Sequence, residues 1–204
     1  MCVIVASPKG VRQPTKEQLR NCFRNNPHGA GYMFARDGRV IIHKGFMEFN
    51  EFMQAVDNEH LKASDAVVYH FRISTQGGII PELTHPFPLA KDYKELEKLD
   101  SSCEIGLAHN GIIRLTSGTS QFYSDTEIFI TQFMTRLIRN HDDVASPAVK
   151  TMIATLTNSK WAILDGLTEE IVTVGKFENV GGRLFSNNGY LKNPIKHFIL
   201  HGGV

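Results

Sequence analysis

Apolar segments along this chain come in neighbouring pairs joined by short turns, and this limits its fold more than any other feature. Residues 31–36 and 40–45 flank Asp37-Gly38, and 104–110 and 112–115 flank Asn110-Gly111. Both dipeptides are hairpin signals. Residues 160–165 and 170–174 form a third pair, and 1–7 (stopped by Pro8), 66–73 and 183–186 read as further strands. Residues 77–91, with Pro81, Pro86 and Pro88, have turn chemistry. Helical patterns occupy 15–25, where Thr15 and Gln18 make a capping box, 50–58 with Asn50 as its cap, 126–140 and 148–156. In 126–140, Phe129, Phe133 and Leu137 recur every four residues. The helices fall mostly between strand pairs rather than after every strand. The pattern predicts an α+β fold with antiparallel sheets, not a doubly wound parallel sheet.

Composition narrows the functional classes. A chain of 204 residues that is 42% hydrophobic can bury a core, and its length suits one domain, 1–204. The 22 Lys+Arg against 21 Asp+Glu argue against electrostatic binding of nucleic acid or acidic membranes. The longest apolar run, Met1 to Ala6, is far short of the roughly 20 residues of a membrane span or the about 7–15 of a signal-peptide core. Cys2, Cys22 and Cys103 are an odd set with no CxxC spacing, so they read as reduced thiols of a cytoplasmic protein. The histidines show no HExxH spacing, so no metal is expected, and no glycine-rich nucleotide loop is present.

Four places carry possible chemistry. Cys2 follows the initiator Met. If Met1 is removed, a thiol nucleophile and an α-amino base stand on one residue. Taken alone, Cys2 reads first as a small apolar residue of a buried strand. Arg72, at the end of the strand 66–73, presents a planar fork suited to a carboxylate, or simply a surface ion pair. Thr75 and Gln76, before Gly77-Gly78, offer donors at a turn. Asn110 and Gly111 read as a hairpin turn, or as a side-chain amide and a backbone N–H converging on one oxyanion. Ser124-Asp125-Thr126-Glu127 is a capping box that could also set Asp125 against a substrate cation, at a helix end that favours negative charge.

The order of these landmarks resembles the glutaminase domain of class II glutamine amidotransferases, in the N-terminal-nucleophile (Ntn) hydrolase superfamily. The matching stretches are Met1-Cys2-Val3-Ile4-Val5, the glycine-containing Asn26-Pro27-His28-Gly29-Ala30-Gly31-Tyr32, His70 to Gly77, His85-Pro86-Phe87, His109 to Ile112, and Ser124 to Glu127. The resemblance implies a four-layer αββα sandwich of two antiparallel sheets, with no cofactor. It implies Cys2 as the nucleophile, Asn110 and Gly111 as oxyanion donors, Arg72 at the α-carboxylate of glutamine and Asp125 at its α-ammonium, with Thr75 and Gln76 lining the pocket. The chain departs from the family at Val3, where Gly is usual, and at Pro27-His28-Gly29, where an Arg-Gly-x-Asp type run is common.

Three functions compete. One is a free-standing glutaminase that passes ammonia to a synthase in trans, since 204 residues hold a glutaminase and no synthase. The second is a stand-alone hydrolase of another γ-glutamyl amide. The third is a binding module that kept the fold, which has no need of Cys2, Arg72, Asn110, Gly111 and Asp125 together.

Overall fold

The computed structural model describes residues 1–74 and 78–193. Its strands are β1 (Val3–Ser7), β2 (Ala30–Arg36), β3 (Arg39–Phe46), β4 (Val67–Phe71), β5 (Phe87–Pro88), β6 (Asp100–Cys103), β7 (Ile105–Asn110), β8 (Lys160–Asp165), β9 (Ile171–Val174), β10 (Glu178–Val180) and β11 (Arg183–Phe185). They form a seven-stranded sheet in the order β10-β11-β1-β4-β2-β3-β6 and a four-stranded sheet in the order β5-β7-β8-β9. Every pairing is antiparallel.

Three hydrophobic cores separate four layers. Helices α1 (Lys16–Asn25) and α2 (Phe49–Asn58) bury Leu19, Cys22, Phe52, Met53 and Val56 on the outer face of the large sheet, against Val3, Val5, Tyr32, Phe34, Tyr69 and Phe71. Between the sheets, Ile4, Ala6, Met33, Ala35, Val40, Ile42 and Val68 meet Ala108, Ala162 and Leu164. Outside the small sheet, Leu107, Trp161 and Ile163 pack on Phe129, Ile130 and Met134 and on Val149 and Ile153 of the helix Pro147–Thr157. The outer cores are aromatic and the inner one is aliphatic and alanine-rich, so the sheets approach closely. The arrangement is the αββα sandwich that the sequence resemblance implied.

Local chemistry explains most of the elements. Thr15 caps α1 in a complete capping box with Gln18. The β2–β3 turn holds Asp37 and Gly38 at positive φ, as a tight hairpin turn of this type needs. Two expectations are corrected. Asn50 does not cap α2; the helix starts after Glu48 with no side-chain cap, and Asn50 lies in its first turn. Residues 112–115 are not a strand. Asn110 ends β7, whose pairing with β8 runs to Asn110 itself and whose other edge is held by β5 at Gly106 and Leu107, so a strand returning along that edge would run into β5. The chain instead buries Ile113 and turns away. The helix expected at 126–140 begins as α4 (Asp125–Phe129), passes through a π-helical turn at Ile130–Met134 and closes at Thr135–Leu137. Elements of two to five residues, including β5, β6 and the helices α3 (Tyr93–Glu97) and His141–Ala145, add to the expected set. No helix among the described residues is long and apolar enough to cross a membrane.

Candidate active site

Side chains alternate across a strand, and that alternation turns one end of the inter-sheet layer polar. The register pairs Ala6 with Val68 and Ile4 with His70. Continuing the same inward rows brings Cys2 and Arg72 to the strand ends. On the facing sheet the inward row runs from Gly106 through Ala108 to Asn110, with Lys160 as its neighbour on β8. The polar residues of both sheets therefore meet at one end of the sandwich.

Cys2 is half-buried there. Its Sγ accepts the Ile73 backbone N–H at 3.4 Å and lies 3.6 Å from the Ile73 carbonyl oxygen, to which the thiol donates. The Asn187 side-chain amide donates to the Cys2 carbonyl at 2.7 Å and pins the backbone. Burial raises the thiol pKa; the Ile73 N–H, the positive amino terminus and the Arg72 guanidinium pull it back.

Gly111 follows the last residue of β7 with φ +154°. A Cβ there would lie 2.4 Å from Ser159 Cβ, so only glycine fits this turn. The side chain of Asn110 is buried, and its Nδ2 donates to Ser186 Oγ at 2.8 Å. Ser186 Oγ also accepts the Ile4 N–H at 2.8 Å, and the Ser186 N–H donates to the Ile4 carbonyl at 2.9 Å. Lys160 Nζ donates to the Ser186 carbonyl. One serine thus ties the strand that carries Cys2 to the strand that carries Asn110.

Arg72 is buried, and its Nη1 donates to the Gly78 carbonyl at 2.9 Å. Burial lowers its pKa, while Cys2 and Glu127 act to raise it. Asp125 opens α4, held by the capping box in which Ser124 accepts the Glu127 N–H and Glu127 Oε2 accepts both the Ser124 N–H and hydroxyl. Asp125 Oδ2 accepts the Ile113 N–H at 2.7 Å and Oδ1 accepts the Thr126 N–H at 2.8 Å. These two bonds fix its carboxylate.

Three buried histidines stand behind this ring. His109 bridges Thr126 Oγ1 and Ser159 Oγ, each at 2.8 Å. His70 Nε2 meets the His109 carbonyl at 3.0 Å, which makes it the donor. His85 sits with its ring centroid 4.3 Å from that of His70, and neither of its ring nitrogens has a partner among the described residues. Burial holds His70 and His109 down to about 3, and burial with the nearby cationic groups holds His85 well below the usual histidine range. Lys44, buried on β3, donates to the Glu82 carbonyl at 2.7 Å and the Leu96 carbonyl at 2.5 Å, and burial pulls its pKa down to about 7.

Two cavities meet at the thiol. A narrow polar one, about 40 Å³, is lined by Cys2, Arg72, Ser74, His85, Gly111 and Asp125 among others. A wider one, about 660 Å³, shares Cys2, Ile73 and Gly111 with it and is otherwise walled by Met1, Ile112, Arg114 and Thr155 to Asn158. Of the residues expected at the site, Cys2, Arg72, Gly111 and Asp125 line one cavity. Asn110 adjoins it but directs its amide at Ser186, and Thr75 and Gln76 lie outside the described residues. Sequence reasoning did not assign site roles to His85, His109, Ser186 or Asn187. The first two stand within the stretches that carry the resemblance, and residues 183–186 read only as a strand.

Comparison with known proteins bears on the fold. No protein-family model matches the chain, and no curated protein does. Among solved structures, it is similar to glutamine phosphoribosylpyrophosphate amidotransferase from B. subtilis, at 18% identity with TM-score 0.50, covering 93% of this chain and 42% of that one. The allosteric regulatory enzyme of purine biosynthesis matches at 20% identity with TM-score 0.49, covering 91% and 41%. The chain thus spans less than half the length of these structures. At such identity the first likeness shows a shared fold, and that fold is the one implied by the order of the sequence landmarks.

Proposed function

We propose that this chain hydrolyses the side-chain amide of glutamine or of a related γ-glutamyl compound through a thioester on Cys2. The observation that carries this reading is the gathering of Cys2, Arg72, Gly111 and Asp125, scattered over more than 120 positions of sequence, around one cavity. A γ-glutamyl substrate is zwitterionic at its α-carbon. Arg72 offers a fork for the carboxylate and Asp125 a carboxylate for the ammonium. Thr75 and Gln76 are proposed to line the same pocket.

The chemistry follows from the thiol and its neighbours. Cleavage of the Met1–Cys2 bond frees an α-amino group beside the thiol, which serves as its base. The thiolate attacks the γ-carbonyl carbon, and the Gly111 N–H, with the Asn110 amide, stabilises the oxyanion. Each such donor contributes about 2.7–4 kcal/mol. The C–N bond breaks as the leaving nitrogen takes a proton from the Cys2 ammonium. Water then attacks the thioester, forming the γ-carboxylate and restoring the thiol. The ammonia would pass to a synthase acting in trans, in a cytoplasmic setting. A stand-alone hydrolase of larger γ-glutamyl amides is the second reading, favoured by the wide cavity beside the thiol.

Intact mass of the purified protein should show loss of Met1, and a glutamine-like diazoketone should add one equivalent at Cys2. Cys2→Ala should abolish both labelling and glutamate release. Glutamate release that survives Cys2→Ala would sink the proposal.

A further inference from the structure

We infer that the wide cavity beside Cys2 is a subsite for the amine half of the substrate, and that it takes a neutral, apolar alkyl or aryl amine. The inference rests on the hydrolase reading above and names its substrate class.

Three observations carry it. Cys2, Ile73 and Gly111 line both cavities, so an acyl carbon held at the thiol has the polar cavity on one side and the wide cavity on the other. With Arg72 and Asp125 on the polar side, the charged α-carbon end of the γ-glutamyl part points there and the departing nitrogen faces the wide side. Size is the second. Ammonia is about as large as a water molecule, whose share of liquid volume is about 30 Å³, whereas the cavity, about 660 Å³ with Met1 still in its wall, falls in the range of sites for drug-sized ligands, and loss of Met1 only widens it. Wall chemistry is the third. Ile112 and Leu156 stand 47% and 37% exposed beside it, apolar surface that a bound hydrocarbon would remove from water. Among the described residues that line it, Arg114 is the charged side chain and none is a carboxylate. A polyamine would meet a like charge there, while a neutral alkyl or aryl group would not.

The reaction balances with water alone. The γ-carbonyl C–N bond breaks as the C–S bond forms, and the amine leaves with one proton. Water then cleaves the thioester, giving γ-glutamate and the free thiol.

The test measures glutamate release by the Met1-free protein from glutamine, γ-glutamylethylamide, γ-glutamylbenzylamide and γ-glutamylputrescine. The expected order of kcat/KM is benzylamide above ethylamide above glutamine, with benzylamide at least tenfold above glutamine and putrescine below benzylamide by a similar factor. Leu156→Trp, which fills the cavity, should lower the benzylamide-to-glutamine ratio about tenfold. Release from glutamine at a rate equal to or above that from benzylamide overturns the inference and leaves the hydrolase reading standing, with the cavity then a surface for an ammonia-accepting protein. Release from none of the four amides, with Met1 shown to be absent, overturns the hydrolase reading itself.

Discussion

The two ends of the layer between the sheets are made by the same strands in the same register, yet they are opposite in chemistry. At one end Ala6, Val68, Ala108 and Ala162 pack with Met33, Val40 and Leu164 in one aliphatic cluster. At the other, two to four residues further along the same rows, stand Cys2, His70, Arg72 and Asn110, with His85 beside them. The apolar end depends on close fit, and the polar end on groups kept away from water. The first should therefore respond to side-chain volume and the second to protons.

The largest expected effect separates them by pH. Burial depresses the pKa of His70, His85 and His109, so the unfolded chain binds protons below about 6.5 that the native state refuses. Their contribution is complete above that pH and is lost as pH falls. At pH 5 the loss is about 2 kcal/mol each for His70 and His109, and His85 adds to it in the same direction. Urea midpoints at pH 7.5 and pH 5 should show it. His85→Leu, which removes two unpartnered nitrogens, should recover part of the difference. Equal stability at the two pH values would break the comparison.

Volume is the smaller lever at the apolar end. Ala162→Leu should destabilise the protein by about 1–3 kcal/mol at pH 7.5, through overpacking between the sheets, and leave the pH dependence unchanged. Chemical denaturation at the two pH values checks both statements together.

The smallest effect sharpens the polar end. Arg72→Lys keeps the charge and loses the fork. The KM for glutamine should rise roughly tenfold, about 1.4 kcal/mol, while saturating diazoketone still labels Cys2. An unchanged KM would remove Arg72 from the substrate contact.

Much of this architecture is legible in the sequence because its signals are local. Thr15 with Gln18 and Ser124 with Glu127 form their capping boxes as the spacing requires, and Asp37-Gly38 makes its hairpin. Asn110-Gly111 carries the same kind of signal and makes none, because the edges of β7 are taken by β5 and β8. That is a tertiary fact without a local trace. β6, with the sequence Asp-Ser-Ser-Cys, pairs only as an edge beside β3, and its polarity hides it. At the site, Cys2, Arg72, Gly111 and Asp125 were legible as types in a recognisable order. The engagement of Asn110 by Ser186, the lone ring of His85 and the wide cavity arise where two sheets meet, and no residue pattern along one strand encodes them.

The alanines between the sheets have one more consequence. The thiol rides on one sheet and the Asn110-Gly111 turn on the other, so the thickness of the layer between them sets the distance from Cys2 to that turn. In the proposed reaction Ala6, Ala108 and Ala162 act as a spacer whose width is a kinetic parameter. A substitution there that the fold tolerates would still move two halves of one reaction apart, and turnover would register a change that stability does not.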